Sequence, residues 1–442
     1  METTTASLAT NNIAPIAQKE RIVLLDCIRG LALLGILVMN ITSQGQIHQL
    51  YDSMDVRYPL TGLNFYAWVF EAFFFEGTMR GMFSILFGAG TLLLIHRLEK
   101  NNQGLLPADI YFRRLLWLLV FGLINAFVLL WPGDILYPYA LTGLLIFPFR
   151  NLSSKKLLII AFVVLAIATC KETVGLYKSK NIIVQGRAAE ALVVKKQNLT
   201  EDQKELLGKW TELKKEGTRD SLPARFAEEE KKIIHKNYAQ IFAYYYDVNS
   251  MLESTVYYSS YIWDILIFFF IGMALFKNGF ITGTKATTVY VLTAVIGTTV
   301  GLLLNYNRLS AMYQFQFDTI KLIEHSKLGL YEVRRVFQTI GYLSILILLY
   351  KLAAGKTILK IFAPVGQMAF TNYLSQSIIT SIIFYGFGLF AALQRYQLYY
   401  VVFGIWIFQI IFSNIWLRYF RLGPLEWLWR SLTYWKVQPI RK

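Results

Sequence analysis

The chain has 442 residues, 55% of them hydrophobic and only 16% charged, with a mean hydropathy of +0.43 and a net charge of +16. That composition excludes an ordinary soluble domain and describes a multi-pass membrane protein whose Lys and Arg gather in loops, so the positive charge is no argument for nucleic acid. Cys27 and Cys170 both fall in apolar runs and the four histidines are scattered, so neither a disulfide framework nor a metal site is expected.

Residues 1–20 are polar and unpatterned, which predicts a disordered cytoplasmic tail. A first membrane block of five spans then covers 21–177. Its first span, Ile22 to Ile41, is long enough to cross a bilayer yet carries Asp26 and Arg29. At ~100° per residue, Asp26, Arg29 and Asn40 share one sector of the helix, so this helix has a polar face. Ionisable groups within a span cost at least a few kcal/mol and usually mark a site.

Thr42 to Gly62 is a polar external loop with His48, and Leu63 to Gly77 reads as an aromatic interfacial helix. Met79 to Leu98 and Leu115 to Trp131 are the second and third spans. The turn Pro132-Gly133 leaves room only for an antiparallel return, which Asp134 opens as the fourth span, to Phe149. Leu157 to Tyr177 is the fifth.

Residues 178–250 turn rich in Lys and Glu and form an external soluble helical insertion, with a capping box at Thr200 to Gln203 and a stop at Gly217. A second membrane block of five spans, 251–420, follows. Its spans are Val256 to Phe276 with Asp264, Ala286 to Leu304, Val333 to Tyr350, Val365 to Ala391 and Leu398 to Leu417. Residues 421–442 make a basic, Trp-rich cytoplasmic interfacial tail. The fold class is therefore all-α, a polytopic membrane helix bundle of about ten transmembrane helices. Lys and Arg predominate on the side of the termini, which places the N and C termini in the cytoplasm.

Several positions are candidates for chemistry. Asp26 and Arg29, three residues apart, suit a donor site in which the Asp holds an Arg against a phosphate; they also suit an intrahelical ion pair that only orients the helix. His48 is the histidine nearest the polar stripe, a general base or acyl carrier, or a bland loop residue. Asp134 is either a carboxylate at the external mouth or a helix N-cap. Asp264 is expected to partner a buried base or hydroxyl. Asn372 and Gln376, on a polar face of the ninth span, either line a cavity or bond between helices. Arg113 and Arg114 either meet a phosphorylated donor or simply set topology. Glu426 and Arg430, four apart in the tail, would join Asp26 and Arg29 at one interface, around a ligand or in an ion-pair cluster.

Five stretches in order, LDCIRGLALLGILVMNI at 25–41, FSILFGAG at 83–90, GDILYPYALTG at 133–143, GQMAFTNYLSQS at 366–377 and RLGPLEWLWRSLTYWK at 421–436, resemble the YeiB-type family of bacterial multi-pass membrane proteins, a domain of unknown function. The Asp-x-x-Arg-Gly opening at Asp26, Arg29 and Gly30 is also distantly similar to heparan-alpha-glucosaminide N-acetyltransferase and other transmembrane acyltransferases. That resemblance implies an acyl-CoA donor in the cytoplasm and an envelope glycan or lipid acceptor outside. It also implies a reactive histidine in the loop that His48 occupies, although at a different distance from the helix. The bacterial inner membrane and the lipid bilayer are the expected setting, and an oligomer is compatible with it. The rival readings are a transporter or flippase that uses intramembrane Asp26 and Asp264, and a membrane scaffold.

Overall fold

The computed structural model describes residues 21–51, 53–101, 104–217 and 222–442; the expected tail 1–20 and the loop acid Asp52 lie outside them. The described residues form helices joined by short turns, with one isolated bridge, Phe420 to Arg441. Among the described residues, eight helices are long and apolar enough to cross a membrane. The bundle is thus all-α and polytopic, as expected.

Helix α1 (Val23–Gly45) sits at its centre. Leu, Ile and Val fall on every side of it, a pattern that favours a fully packed helix over one with a single apolar stripe. Accordingly most of α1 is buried, Cys27, Ile28, Leu33, Leu37 and Ile41 completely.

The expected interfacial segment and second span form one run. In it α2 (Gly62–Phe70) passes through a wide π turn, Glu71–Phe75, into α3 (Thr78–Asn101). The break is at Gly77, where φ is +70°, and a Cβ there would meet Arg335 Nε at 2.4 Å. Only glycine suits both demands.

Helices α4 (Leu106–Leu123) and α5 (Leu136–Ile146) make the predicted antiparallel pair. Gly122 lies against Tyr137, and Tyr111 donates to the Gly143 carbonyl at 2.7 Å. With 11 residues, α5 rises only ~16 Å and then tightens into a 3-10 turn at Phe147–Asn151. Pro148 has no N–H to continue the α-helical ladder, and the fourth span stops short of its apolar length.

Helix α6 (Ser154–Val194) runs 41 residues, ~61 Å, so the change of composition at 178 is no break in the helix. Its Ile159, Phe162, Val163 and Ile167 are exposed, as lipid-facing residues would be. The insertion continues with α7 (Glu201–Gly217) and α8 (Leu222–Lys231). Thr200 and Gln203 cap α7 reciprocally, at 3.0 and 3.4 Å, and the helix ends at Gly217. The chain returns through α9 (Tyr238–Met251) and a π stretch, Leu252–Tyr261, directly into α10 (Ile262–Lys277).

Helices α11 (Thr287–Gln314), α12 (Thr319–His325), α13 (Tyr331–Lys351) and α14 (Ala353–Leu359) follow. The ninth predicted span is broken into α15 (Ala363–Gln367) and α16 (Ala369–Ser381), and α17 (Arg395–Tyr419) and α18 (Pro424–Tyr434) end the fold.

The short α15 exists to press on α1. A Cβ on Gly366 would lie 1.9 Å from the Asp26 carbonyl oxygen, and one on Gly30 would lie 2.2 Å from that of Phe362. Backbone cannot yield as a flexible side chain does. Gly366→Ala is therefore expected to destabilise the protein by about 1–3 kcal/mol, read as a lower melting temperature in detergent.

Candidate functional site

Two cavities lie at opposite ends of α1. The smaller, about 260 Å3, is on the side of the termini and receives Leu25, Asp26 and Arg29 from the start of α1. The larger, about 800 Å3, is on the far side and receives Ile36, Met39, Asn40 and Ser43 from its end. Tyr139 of α5 lines both. Its hydroxyl is 2.5 Å from Ser84 Oγ and donates to the Arg80 carbonyl at 3.3 Å, which holds the ring between the cavities.

The smaller cavity is apolar inside and cationic at its mouth. Phe83, Leu86, Phe87, Leu115 and Leu118 line its interior, while Arg21, Arg29, Arg97, Arg114 and Arg430 gather against two acids, Asp26 and Glu426. Asp26 takes Arg29 at 3.0 Å, with the Arg29 side chain 27% exposed. The acid is thus buried and its guanidinium still presented to the opening.

Glu426 is engaged elsewhere. It accepts from the Phe370 and Thr371 backbone N–H groups at 2.7 and 3.1 Å and from Thr371 Oγ1 at 2.5 Å, so it caps the start of α16. Burial pushes its carboxyl up against the pull of Thr371. No ion pair joins Glu426 to Arg430 among the described residues, and the expected cluster is a shared cavity wall rather than a chain of salt bridges. Burial, and then the repulsion of Arg21, pushes Arg430 down. Arg114 lies 3.7 Å over the Trp429 ring, whose Nε1 donates to the Arg114 carbonyl at 2.9 Å. Crowded, partly desolvated guanidinium groups with few acids make a site for an anion with several oxygens.

In the larger cavity Asn40, His48, Asp134 and Asp264 come together with Glu76, Arg80 and Arg308. Asp134 accepts from Asn125 Nδ2 at 2.7 Å and from the Tyr137 N–H at 2.8 Å, so it caps α5 and faces the cavity at once. The helix-capping contact and the place in the cavity wall do not compete. Asp264 has the buried bases expected of it, Arg335 at 2.7 Å and Arg80 at 2.8 Å. Glu76 binds Arg334 and, at 3.0 Å, Arg308.

Three candidates stand apart. Asn372 bonds to the Val365 carbonyl and Ser413 Oγ at 3.1 and 2.9 Å, and Gln376 to Gln409 Oε1 at 3.0 Å. Neither lines either cavity, because their face of α16 is turned to α17. Arg113 likewise faces away from the mouth, pairing with Asp109, and its neighbour Arg114 alone lines the cavity.

Residues 275–436 match a family described as "Protein of unknown function (DUF418)". Over nearly the whole chain there is 29% identity to the uncharacterized YxaH of Bacillus subtilis, covering 98% of this chain and 99% of that one. The uncharacterized YeiB of Escherichia coli is also 29% identical, over 94% and 96%. The chain is thus similar over nearly its whole length to these YeiB-type proteins. No solved structure matches it. The YeiB-type likeness thus takes in α1 as well as α18, the two ends that build the smaller cavity.

Some residues of the two cavities escape sequence reading. Arg21 and Arg97 look like interfacial charges, Tyr139 like one of many tyrosines, and Glu76 like the end of an amphipathic segment. Glu76 alone carried a signal, being an acid next to a glycine inside an apolar run.

Proposed function

We propose that this membrane protein moves an acyl group from a cytoplasmic acyl-CoA to an acceptor, an envelope glycan or lipid, on the external side of the bacterial inner membrane. The observation that carries this reading is the pair of cavities separated by Tyr139. The residues of the smaller cavity suit the donor: arginines for its phosphates, apolar walls for its arm and acyl group. Arg29 and Ser43 are 14 residues apart on α1, ~21 Å along the axis, a reach for a donor with a long flexible arm. The larger cavity, where Asn40, Ser43, His48 and Asp134 lie among Tyr51, Trp131, Tyr244 and Trp263, suits a hydroxyl-rich acceptor that hydrogen-bonds and stacks at once.

A flippase driven through Asp26 and Asp264 is the weaker alternative. Both acids are ion-paired, and a coupling carboxylate must take up and release its proton readily.

Mass spectrometry of envelope glycans and lipids from cells with and without the protein tests the class of reaction. A component that gains one acyl mass only when the protein is present is the expected result; identical profiles would count against it. Tyr139→Ala joins the two cavities and is expected to raise loss of acyl-CoA to water while lowering transfer to acceptor, measured as thiol release in purified protein. Tyr139→Phe keeps the ring and should behave as the native chain.

A further inference from the structure

The larger cavity holds a serine with the surroundings of a nucleophile. Ser43 lies on the last turns of α1, and its Oγ is 3.0 Å from His48 Nδ1. The chain makes this contact possible by turning sharply after Gly45. Gln46 is extended, with φ −142°, and His48 opens a 3-10 turn, His48–Tyr51, that brings the imidazole back over α1. Tyr51 stacks on that ring with centroids 6.3 Å apart. With the ring proton on Nε2, the Ser43 hydroxyl donates to Nδ1, the relation in which a base raises the nucleophilicity of a hydroxyl. Asn40, one turn earlier on the same face, lines the cavity too. Its amide is a donor for an oxyanion formed near Ser43.

We infer that Ser43 carries the acyl group as an ester, with His48 as its general base and Asn40 as the oxyanion donor. The inference rests on the acyltransferase reading for its donor. Ser43 Oγ bonds to the acyl carbon while its proton passes to His48; the carbon–sulfur bond breaks and the departing thiolate takes that proton. An acceptor hydroxyl or amine then attacks the ester carbon. His48 takes the acceptor proton and returns it to Ser43 Oγ as the ester bond breaks, leaving the enzyme as it began.

The test is a fluorophosphonate, which reports a base-activated serine without any thioester, applied to the full-length protein in lipid nanodiscs. Peptide mapping is expected to place the label on Ser43, with no label in Ser43→Ala and labelling about 100-fold slower in His48→Gln. Radiolabelled acetyl-CoA without acceptor should leave acetate on Ser43. A folded native protein whose Ser43 takes no fluorophosphonate would overturn the inference, as would native-rate transfer by Ser43→Ala. Fluorophosphonate on Ser43 together with indifference to acyl-CoA would uphold the nucleophile and overturn the donor reading instead. Consumption of acyl-CoA with Ser43 unlabelled would do the reverse.

Discussion

On the proposed donor role, Arg29→Ala is expected to weaken binding of coenzyme A by about ten- to hundredfold, the loss of a charge-assisted hydrogen bond to phosphate worth about 1.5–3 kcal/mol. The neighbouring carboxylate makes the effect large, since Asp26 at 3.0 Å fixes the guanidinium at the cavity mouth before any ligand arrives. Arg113→Ala is the control. It removes a cation of the same face that points to Asp109, and it should leave affinity unchanged. Titration calorimetry of coenzyme A into purified protein distinguishes the two. Equal affinity in native protein and Arg29→Ala, with the melting temperature retained, would remove Arg29 from any donor site.

The second large effect is on stability and lies outside both cavities. Arg395 and Glu71 are each 1% exposed and paired at 3.1 Å. Thr42 and Tyr399 also donate to the Glu71 carboxylate, at 3.4 and 2.8 Å, and Arg395 donates to the Leu50 carbonyl at 2.9 Å. Arg395→Met leaves Glu71 buried opposite an apolar chain and is expected to cost about 3–5 kcal/mol, seen as a large drop in melting temperature and in the yield of monodisperse protein. Adding Glu71→Gln removes the uncompensated charge. The double variant should regain much of the loss, and a double variant as unstable as the single one would show that the guanidinium matters for its shape rather than its charge.

How much of this was readable beforehand differs by element. Hydropathy reports what surrounds a helix along its own length, so α1, α4, α11, α13 and α17 were plain from their apolar runs. The polar face of α1 was plain as well, because Asp26, Arg29 and Asn40 are brought together by helical period alone. Its division between two cavities was not, because Tyr139 supplies the partition from another helix.

Charges are legible as anomalies but their partners are not. Arg334 finds Glu76 across 258 residues and Arg395 finds Glu71 across 324, and no local pattern encodes either match. Uncharged polar faces are harder still. Asn372 and Gln376 keep the same spacing whether they face a cavity or α17, and only packing decides. Ser43 was missed for a related reason: a serine near the end of an apolar helix is ordinary until a turn five residues on returns a histidine to it.

The mouth of the smaller cavity takes Arg21, Asp26 and Arg29 from the start of the chain and Glu426, Trp429 and Arg430 from its end. Translation therefore makes Arg21, Asp26 and Arg29 long before Glu426, Trp429 and Arg430. A chain still on the ribosome, with α1 already in the membrane, has no α18 to bring Trp429 over Arg114 and no Glu426 to cap α16. On the donor reading proposed above, a chain cut short before Pro424 is therefore expected to lose anion binding outright rather than by degrees.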